Sequence, residues 1–454
     1  MKFLKGYTKQ EKSWMMYDWA NSAQSVIIVT LLPIFYNTVS HNDVDALSRW
    51  GFGTSFAMII CAVLAPLLGA LGDFKGWRKR LFFGFMAVGV LACLGLVATP
   101  FMDSSTPALG AKTAAVILTL YIICSVGHSA ANIYYDSFLT DVTTDDRMDK
   151  VSTMGYGMGY IGGSTIPLLI FLIMNLAGVS MTICLASAFA ITAVWWSAFS
   201  VPIFKNVQQK HYTQSTHGAI KASFCGLGQT LKEIVGHKKM LVFLLAYFFY
   251  IDGVNTIISM STIYGSSLGL DGTKMMLALL LVQILGLPFA LMYIRLSEKF
   301  GTRFMVGVGI CVYMFITVFA FFIKSEWQFW LLSIFVASSQ GGIQALSRSL
   351  YGKLIPDKAR SGEFFGFYDI FGKFSAIMGP ALVAFSSGIA KNIYIKKWNI
   401  GADASAEVLN NLTKSSTPWG VLSVLIILVI GGVLFFVVYP RVEAKENAAK
   451  ETRV

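Results

Sequence analysis

The sequence predicts an all-α membrane protein with twelve transmembrane helices in two pseudo-symmetric six-helix bundles. Three observations predict this fold: an apolar composition, the number of long apolar runs, and short patterns that recur in the same order in each half. Hydrophobic residues make up 55% of the 454 residues, charged residues make up 13%, and the mean hydropathy is +0.64. A soluble surface needs more charge than this, so we expect the bilayer to be the main solvent.

Twelve apolar runs are long enough to cross a bilayer core of about 30 Å, which takes roughly twenty helical residues. We number the predicted spans helices 1 to 12. The first six lie near residues 14–37, 50–71, 81–99, 113–138, 151–176 and 181–204. The second six lie near residues 240–266, 275–296, 304–323, 327–350, 363–387 and 419–438.

One polar and basic stretch separates the two sets of spans, so the sequence predicts two bundles joined by a linker. Residues 1–204 form the N-terminal bundle, and residues 240–454 form the C-terminal bundle with its tail. Residues 205–239 are the linker, in which residues 220–235 are suited to an interfacial helix.

The distribution of lysine and arginine predicts the orientation, because these residues stay on the cytoplasmic side. They concentrate at the N-terminus, in the linker, in alternate loops and in the tail. Both termini are therefore predicted to be cytoplasmic, in a multi-pass protein of a bacterial inner (plasma) membrane. This topology accounts for the net charge of +12 without a nucleic-acid partner. The expected partners are the bilayer and a small-molecule solute, and the expected state is a monomer.

Three short patterns support an internal duplication. Residues 18–22 of helix 1 resemble residues 252–256 of helix 7. Charged residues follow helix 2 and helix 8 at matching places, and the ends of helices 4 and 10 also match. Parallel repeats of six helices are typical of secondary transporters.

Several motifs resemble those of a known family. Residues 69–80 (GALGDFKGWRKR) resemble the loop 2–3 signature of the major facilitator superfamily. Five short motifs are similar to the vacuole effluxer family of that superfamily, the Atg22-like transporters: residues 17–23 (YDWANSA), 156–163 (YGMGYIGG), 252–254 (DGV), 341–349 (GGIQALSRS) and 363–368 (EFFGFY). The resemblance implies the major facilitator fold and a secondary active transporter or facilitator that works by alternating access. Members are associated with amino acid release from fungal vacuoles, so amino acids are the first solute expected among small polar organic solutes.

Two other functions stay open. Aromatic residues at 14% and nineteen methionines suit an adaptable cavity, which would fit multidrug or amphipathic metabolite efflux. A non-transporting membrane receptor on the same fold is the third hypothesis. An enzyme, a cofactor and a metal site are not expected, because the acidic residues at 141–149 have no His or Cys ligands beside them and are interpreted as a solvated loop.

Each ionisable group deep in a predicted span costs at least about 2.5 kcal/mol to insert into the membrane, so its presence requires a partner or a function. Such groups are therefore candidate solute ligands. Asp252 and Lys373 match the ammonium and carboxylate of an amino acid. Asp369 lies one turn before Lys373, and the alternative is that these two neutralise each other. Uncharged candidates for substrate binding are Asn21, Gln24, Tyr160, Asn255, Gln283 and Gln340. For each amide alone, bonding between helices is the alternative role.

Protons are the candidate coupling ion, with Asp252 or His128 as the carrier. For His128 a packing role is the competing interpretation. The glycines of residues 155–163 repeat at helical spacings, and we expect them to let helix 5 approach a helix of the other half closely. Sliding at that contact would let the halves rock, and static packing is the alternative.

Candidate gating residues lie at the predicted cytoplasmic ends of the helices: Asp73, Arg78, Asp136, Glu298 and Arg348. Asp136 and Arg348 occupy equivalent positions and either meet as a gate or each serve their own half. The second arrangement is favoured, with Asp136 facing Arg78 or Arg80 and Arg348 facing Glu298. Asp73 is expected to face the N-terminus of helix 11, whose dipole attracts an anion, and to help hold an outward-open state.

Overall fold

The computed structural model describes residues 4–41, 46–214, 219–267, 269, 272–400 and 405–451. Twelve helices in this part of the chain are long and apolar enough to cross a membrane. The all-α fold and the number of spans predicted from the sequence are confirmed.

The first six spans follow the predicted runs but extend beyond them at several ends. Their bounds are Lys9–Val39 for helix 1, Ala46–Gly72 for helix 2, Trp77–Leu96 for helix 3, Pro107–Ser137 for helix 4 and Met181–Asn206 for helix 6. Helix 5 consists of Met148–Gly159, a π-helical turn at Tyr160–Thr165, and Ile166–Leu176. A short helix, Leu139–Val142, follows helix 4.

The remaining helices begin with the linker helix, Ala219–Gly236, at the place predicted for an interfacial helix. The next six spans are Lys238–Ser267 for helix 7, Gly272–Phe300 for helix 8, Thr302–Phe321 for helix 9, Glu326–Leu354 for helix 10, Ser361–Lys397 for helix 11 and Ala406–Val433 for helix 12. Helix 12 continues through a π-helical turn at Leu434–Val438 into a tail helix, Tyr439–Glu451.

The start of helix 1 shows how local sequence sets a helix boundary. The Thr8 hydroxyl accepts the N–H of Glu11 at 3.1 Å, and the Glu11 carboxylate accepts the N–H of Thr8 at 2.7 Å. This reciprocal capping satisfies two of the N–H groups that a helix start leaves without partners. Glu11 also pairs with Arg147 at 2.8 Å, which ties the start of helix 1 to the start of helix 5.

The chain forms two compact units. The first contains Met1–Leu231 together with Arg348–Ile370, and the second contains Lys232–Ser347 together with Phe371–Val454. The end of helix 10 and the start of helix 11 therefore pack with the first six helices, although both helices belong to the second set of spans in sequence.

The glycine-rich part of helix 5 packs against helix 1 within the first unit. A Cβ atom on Gly159 would lie 2.5 Å from the Ser22 hydroxyl, and one on Gly163 would lie 2.6 Å from the backbone nitrogen of Ala23 and from the Trp19 carbonyl. The expectation of a neighbour in the other half is therefore wrong for these glycines. Glycine spacing reports a close approach between helices but does not identify the partner helix.

We predict that Gly163→Ala lowers the melting temperature of the detergent-purified protein, because the new methyl group forces helices 1 and 5 apart. Overpacking of this kind costs about 1–3 kcal/mol. Gly84→Ala on helix 3 is the matched control, since its Cβ would meet no atom within 4 Å. It should leave the melting temperature unchanged or raise it slightly. Intrinsic fluorescence measures both melting temperatures. Equal melting temperatures for Gly163→Ala and Gly84→Ala would contradict the close approach of helices 1 and 5.

Candidate functional site

Arg348 lies near the end of helix 10, at the centre of a buried charge cluster in the first unit. Its side chain is almost fully buried. The Nη1 group donates to Asp136 Oδ1 at 2.9 Å, and the Nη2 group lies 3.4 Å from Asp18 Oδ2. The Nε group donates to the Ser152 hydroxyl at 3.0 Å. One cation therefore joins helices 1, 4, 5 and 10.

Aromatic rings complete the surroundings of the Arg348 guanidinium. The ring centroids of Trp14, Tyr135 and Tyr156 lie 4.7, 5.3 and 4.6 Å from its central carbon. The Tyr135 hydroxyl also donates to Asp18 at 2.6 Å. Cation–π contacts can contribute about 2 kcal/mol when they are desolvated. We use the name Arg348 cluster for Trp14, Asp18, Tyr135, Asp136, Ser152, Tyr156 and Arg348.

The pairing of Asp136 with Arg348 corrects the arrangement favoured from the sequence. That arrangement placed Asp136 opposite Arg78 or Arg80 and Arg348 opposite Glu298, and it is wrong. The end of helix 10 packs in the first unit, which brings the Arg348 guanidinium within bonding distance of Asp136. Glu298 is exposed near the end of helix 8. The role of these residues in gating stays a prediction.

Arg78, at the start of helix 3, is the second buried cation of the first unit. Its side chain has no solvent exposure. Nη2 donates to Asp73 Oδ1 at 2.6 Å, Nη1 donates to Asp141 Oδ2 at 2.7 Å, and the guanidinium lies 5.5 Å from the Phe138 ring centroid. Two carboxylates thus hold one guanidinium, as in the Arg348 cluster.

Asp141 and Asp18 are site residues that the sequence analysis missed. The solvated-loop interpretation is wrong for Asp141, which is 2% exposed. Asp18 is 8% exposed, and the sequence analysis contained it in the helix 1 repeat and in the motif of residues 17–23 without giving it a role. One signal available in advance was the position of Asp141 one turn beyond the end of helix 4, where a loop 2–3 cation such as Arg78 needs a carboxylate.

Asp73 faces the N-terminus of helix 11, which is the position expected from the sequence. Its two carboxylate oxygens accept the N–H groups of Gly362 and Glu363, each at 2.8 Å. These donors lie in the first turn of the helix, where the macrodipole favours an anion. Burial raises the pKa of Asp73 to about 7, and Arg78 and the two N–H groups oppose that rise. We call Asp73 with Gly362 and Glu363 the helix 11 junction.

Two of the predicted uncharged residues of the first unit, Asn21 and Gln24, contact helix 4 from helix 1. Asn21 Nδ2 donates to Asn132 Oδ1 at 2.8 Å, and Asn132 Nδ2 lies 3.4 Å from His128 Nε2. Gln24 Nε2 lies 3.8 Å from the Cys124 sulfur. For Asn21 and Gln24 these contacts match the alternative role of joining helices.

His128 and Tyr160 have defined surroundings in the same unit. The His128 ring meets the Trp196 ring edge to face, with centroids 5.5 Å apart. Tyr160 begins the π-helical turn of helix 5, and its carbonyl accepts the Thr165 hydroxyl at 2.7 Å. π-Helical turns are often found at functional sites.

Asp252 on helix 7 is fully buried in the second unit and bonds helix 7 to helix 11. Its Oδ1 atom accepts the N–H of Gly379 at 2.9 Å, and the Thr256 hydroxyl lies 3.4 Å from the same atom. Its Oδ2 atom makes no hydrogen bond to any residue in the described ranges. Gly379 precedes Pro380, at which the hydrogen-bond ladder of helix 11 is interrupted.

Helices 7 to 12 of the second unit surround a pocket with about 770 Å³ of empty space, including the part that is open to solvent. Gln283 on helix 8 and Gln340 on helix 10 line this pocket, together with Thr256 and Ser261 of helix 7. Most of the remaining wall consists of aliphatic and aromatic side chains: Ile257, Ile258, Met260, Leu279, Val282, Phe329, Leu332, Val336, Val383, Val421 and Val424.

The predicted substrate-binding residues therefore do not gather at one place. Gln283 and Gln340 share the pocket, and Asp252 reaches it through Thr256. Asn255, Asp369 and Lys373 are half-buried and are not part of the described pocket lining. Substrate binding by each of these residues stays a prediction.

Comparison with known proteins shows the family. The profile of the family described as vacuole effluxer Atg22 like matches residues 39–394. The chain is 42% identical over 392 residues to the MFS-type transporter YxiO of Bacillus subtilis (strain 168), across 84% of this chain and 89% of the relative. It is 25% identical over 287 residues to autophagy-related protein 22 of Cryptococcus neoformans var. neoformans serotype D (strain B-3501A), across 58% of this chain and 51% of that protein.

Solved structures show the same fold at low sequence identity. The proton:xylose symporter XylE bound to 6-bromo-6-deoxy-D-glucose matches with a TM-score of 0.65 and 12% identity over 94% of each chain. A bacterial homologue of the iron transporter ferroportin in the outward-facing state matches with a TM-score of 0.59 and 14% identity, over 94% of this chain and 98% of that chain. The fold is that of the major facilitator superfamily.

We predict that Arg348→Gln strongly destabilises the protein, because it leaves Asp18 and Asp136 buried without their cation. Breaking a buried ion pair on one side costs about 3–5 kcal/mol. The double variant Arg348→Gln/Asp136→Asn should recover part of that loss. Arg303→Gln is the control, since its pair with Glu443 is partly exposed and should contribute less than about 1 kcal/mol. Thermal unfolding measures the stability of both single variants and of the double variant. If the loss in the double variant equals the sum of the two single losses, Arg348 and Asp136 are not coupled.

The raised pKa of Asp73 predicts a specific pH dependence of stability. In the unfolded chain this pKa is about 3.9. A group whose pKa is raised by folding favours the folded state at low pH, and this contribution is lost as the pH rises towards the folded-state pKa of about 7. The melting temperature of the wild type minus that of Asp73→Asn should therefore fall between about pH 4 and about pH 7 and stay level above that. A constant difference across this range would show that Asp73 keeps the same charge throughout.

Proposed function

This chain belongs to the vacuole effluxer Atg22-like family of the major facilitator superfamily, and from that membership we propose that it moves a small amphipathic organic solute by alternating access. Amino acids with large apolar side chains are the first class to test. The observation that carries this proposal is the pocket of the second unit, whose wall is mainly apolar and includes the amides of Gln283 and Gln340.

The walls of the pocket support an organic solute. Ligand sites are mostly apolar cavities that contain a few placed polar groups, and the lining of this pocket has that composition. Burying the apolar surface of a solute against an apolar wall contributes about 25 cal/mol of favourable free energy per Å². A few placed polar groups then fix the orientation of the solute.

The polar groups of the pocket suit hydrogen-bond donors on the solute. Gln283 Oε1 is buried and makes no hydrogen bond within the described ranges. A buried acceptor without a donor costs about 1–3 kcal/mol, so a solute N–H or O–H placed there would be bound favourably. Gln340 supplies a second amide on the facing helix 10.

The charge pattern distinguishes two solute classes. None of the described residues that line the pocket carries a charge, which favours amphipathic metabolites with uncharged polar groups and supports the efflux hypothesis. The Thr256 hydroxyl, on the pocket wall, lies 3.4 Å from Asp252 Oδ1. The Asp252 carboxylate would attract the ammonium group of an amino acid. If Asp252 carries the proton, coupling takes place beside the pocket of the second unit. If His128 carries it, coupling takes place in the first unit.

The test is uptake by purified protein in liposomes, with and without a pH gradient. One panel contains radiolabelled amino acids, and a second contains uncharged and singly charged amphipathic compounds as competitors. Uptake of apolar amino acids, or competition by the amphipathic panel, supports the proposal. If only strongly hydrophilic charged solutes are transported and none of the amphipathic panel competes, the proposed solute class is excluded.

We predict that Gln340→Leu weakens the apparent affinity for the transported solute by about tenfold, the loss expected for one neutral hydrogen bond of about 1.4 kcal/mol. Ser338→Ala is the matched control, because Ser338 lies on the same helix but faces a different, outer groove lined by Phe304, Cys311 and Phe335. Concentration series of uptake give both affinities. An unchanged affinity for Gln340→Leu would place the solute elsewhere.

A further inference from the structure

The segment that follows helix 6 lies along the loop between helices 2 and 3. We call residues 207–214 the strap. The N–H of Thr213 donates to the Asp73 carbonyl at 2.8 Å, and the N–H of Lys75 donates to the Thr213 carbonyl at 3.2 Å. These bonds pair Phe74 with Thr213 in a short parallel β-type contact.

Side chains of the strap and the loop reinforce this contact. Gln209 Nε2 donates to the Gly72 carbonyl at 3.0 Å, and Gln209 Oε1 accepts the N–H of Gly76 at 3.1 Å. The Lys79 ammonium donates to the Val207 carbonyl at 3.0 Å. The strap therefore bonds the loop on both sides of Asp73.

Asp141 joins the strap to the buried cation of the loop. Its Oδ1 atom accepts the backbone N–H groups of Lys210 and His211 at 3.0 and 2.9 Å. The His211 ring nitrogen Nδ1 lies 3.0 Å from the same oxygen. Because the other oxygen of Asp141 binds Arg78, one carboxylate fixes the strap and the guanidinium together.

The same linker also bonds the start of helix 11. The Thr230 hydroxyl of the linker helix donates to the Glu363 carboxylate, and Arg360 donates to both Thr230 and Glu363. The backbone N–H of Glu363 is in turn one of the two donors to Asp73. The linker thus contacts the helix 11 junction at two places.

We propose that the strap is a clamp on the helix 11 junction, and that it must detach before the start of helix 11 can leave the first unit during transport. When Gly362 and Glu363 withdraw, the buried carboxylate of Asp73 loses two donors and needs water in their place. Asp73 is only 4% exposed while the strap bonds the backbone on either side of it. Detachment of the strap admits that water. Asp141 is a positioning residue in this device, since it acts on Asp73 through Arg78 and the strap.

A disulfide between Phe74→Cys and Thr213→Cys tests the clamp without knowledge of the solute. Paired strands lie about 4.7–4.9 Å apart, which is within the Cα separation that a disulfide spans. The reporter is Ser361→Cys at the start of helix 11, because Ser361 is fully buried in the closed junction. All variants are made in a background without native cysteines. The rate at which maleimide labels the peptide containing Ser361→Cys is measured by mass spectrometry.

We expect the disulfide to slow labelling of the reporter by at least about tenfold, since a crosslink removes the detached states of the strap. Reduction should restore the rate, and the single variants Phe74→Cys and Thr213→Cys should be unaffected by oxidant. Thr213→Pro, which removes the N–H that donates to Asp73, should speed labelling by about fivefold. Thr213→Ala keeps that N–H and should behave as the wild type.

Labelling that is unchanged by a verified disulfide would overturn the clamp. So would equal labelling of the Thr213→Pro and Thr213→Ala variants. Both results are independent of the solute, so a failure of the proposed solute class in the liposome assay leaves the clamp standing, and a failure of the clamp leaves the solute class standing.

Discussion

The burial of two guanidinium groups, each held by two carboxylates, is the constraint that organises the first unit. Arg78 binds Asp73 and Asp141, and Arg348 binds Asp136 and Asp18. A buried cation with one carboxylate would be neutral, whereas two carboxylates leave an excess of negative charge. That excess must be satisfied by additional hydrogen-bond donors, because water has little access to these sites.

The donors that satisfy the excess charge come from chain segments distant in sequence. Asp73 accepts hydrogen bonds from N–H groups in the first turn of helix 11, and Asp141 accepts two from the backbone of the strap. Asp18 draws the Tyr135 hydroxyl. The position of residues 348–370 in the first unit thus follows from local charge balance as well as from apolar packing.

The sequence predicted the number of helices and the place of Asp73, because apolar run length and a helix dipole are properties of single segments. It did not predict which segments meet at a buried cation. Asp141 was assigned to a solvated loop, since a short acidic run has the same composition whether or not an arginine lies beneath it. Glycine spacing in helix 5 indicated a close approach correctly, but helix 1 as the partner depends on how the whole bundle packs. For the same reason, only Gln283 and Gln340 of the predicted solute residues share the pocket.

The two repeats place a carboxylate near the start of each pattern but use it differently. Asp18 pairs with Arg348 and Tyr135, whereas Asp252 accepts the N–H of Gly379 beside Pro380. Gly379 has no room for a side chain against Thr256, so helix 11 approaches helix 7 closely next to Pro380, where its own hydrogen-bond ladder is interrupted. Asp252 therefore bonds helix 11 beside the Thr256 wall of the pocket, while Asp73 of the first unit bonds the start of the same helix.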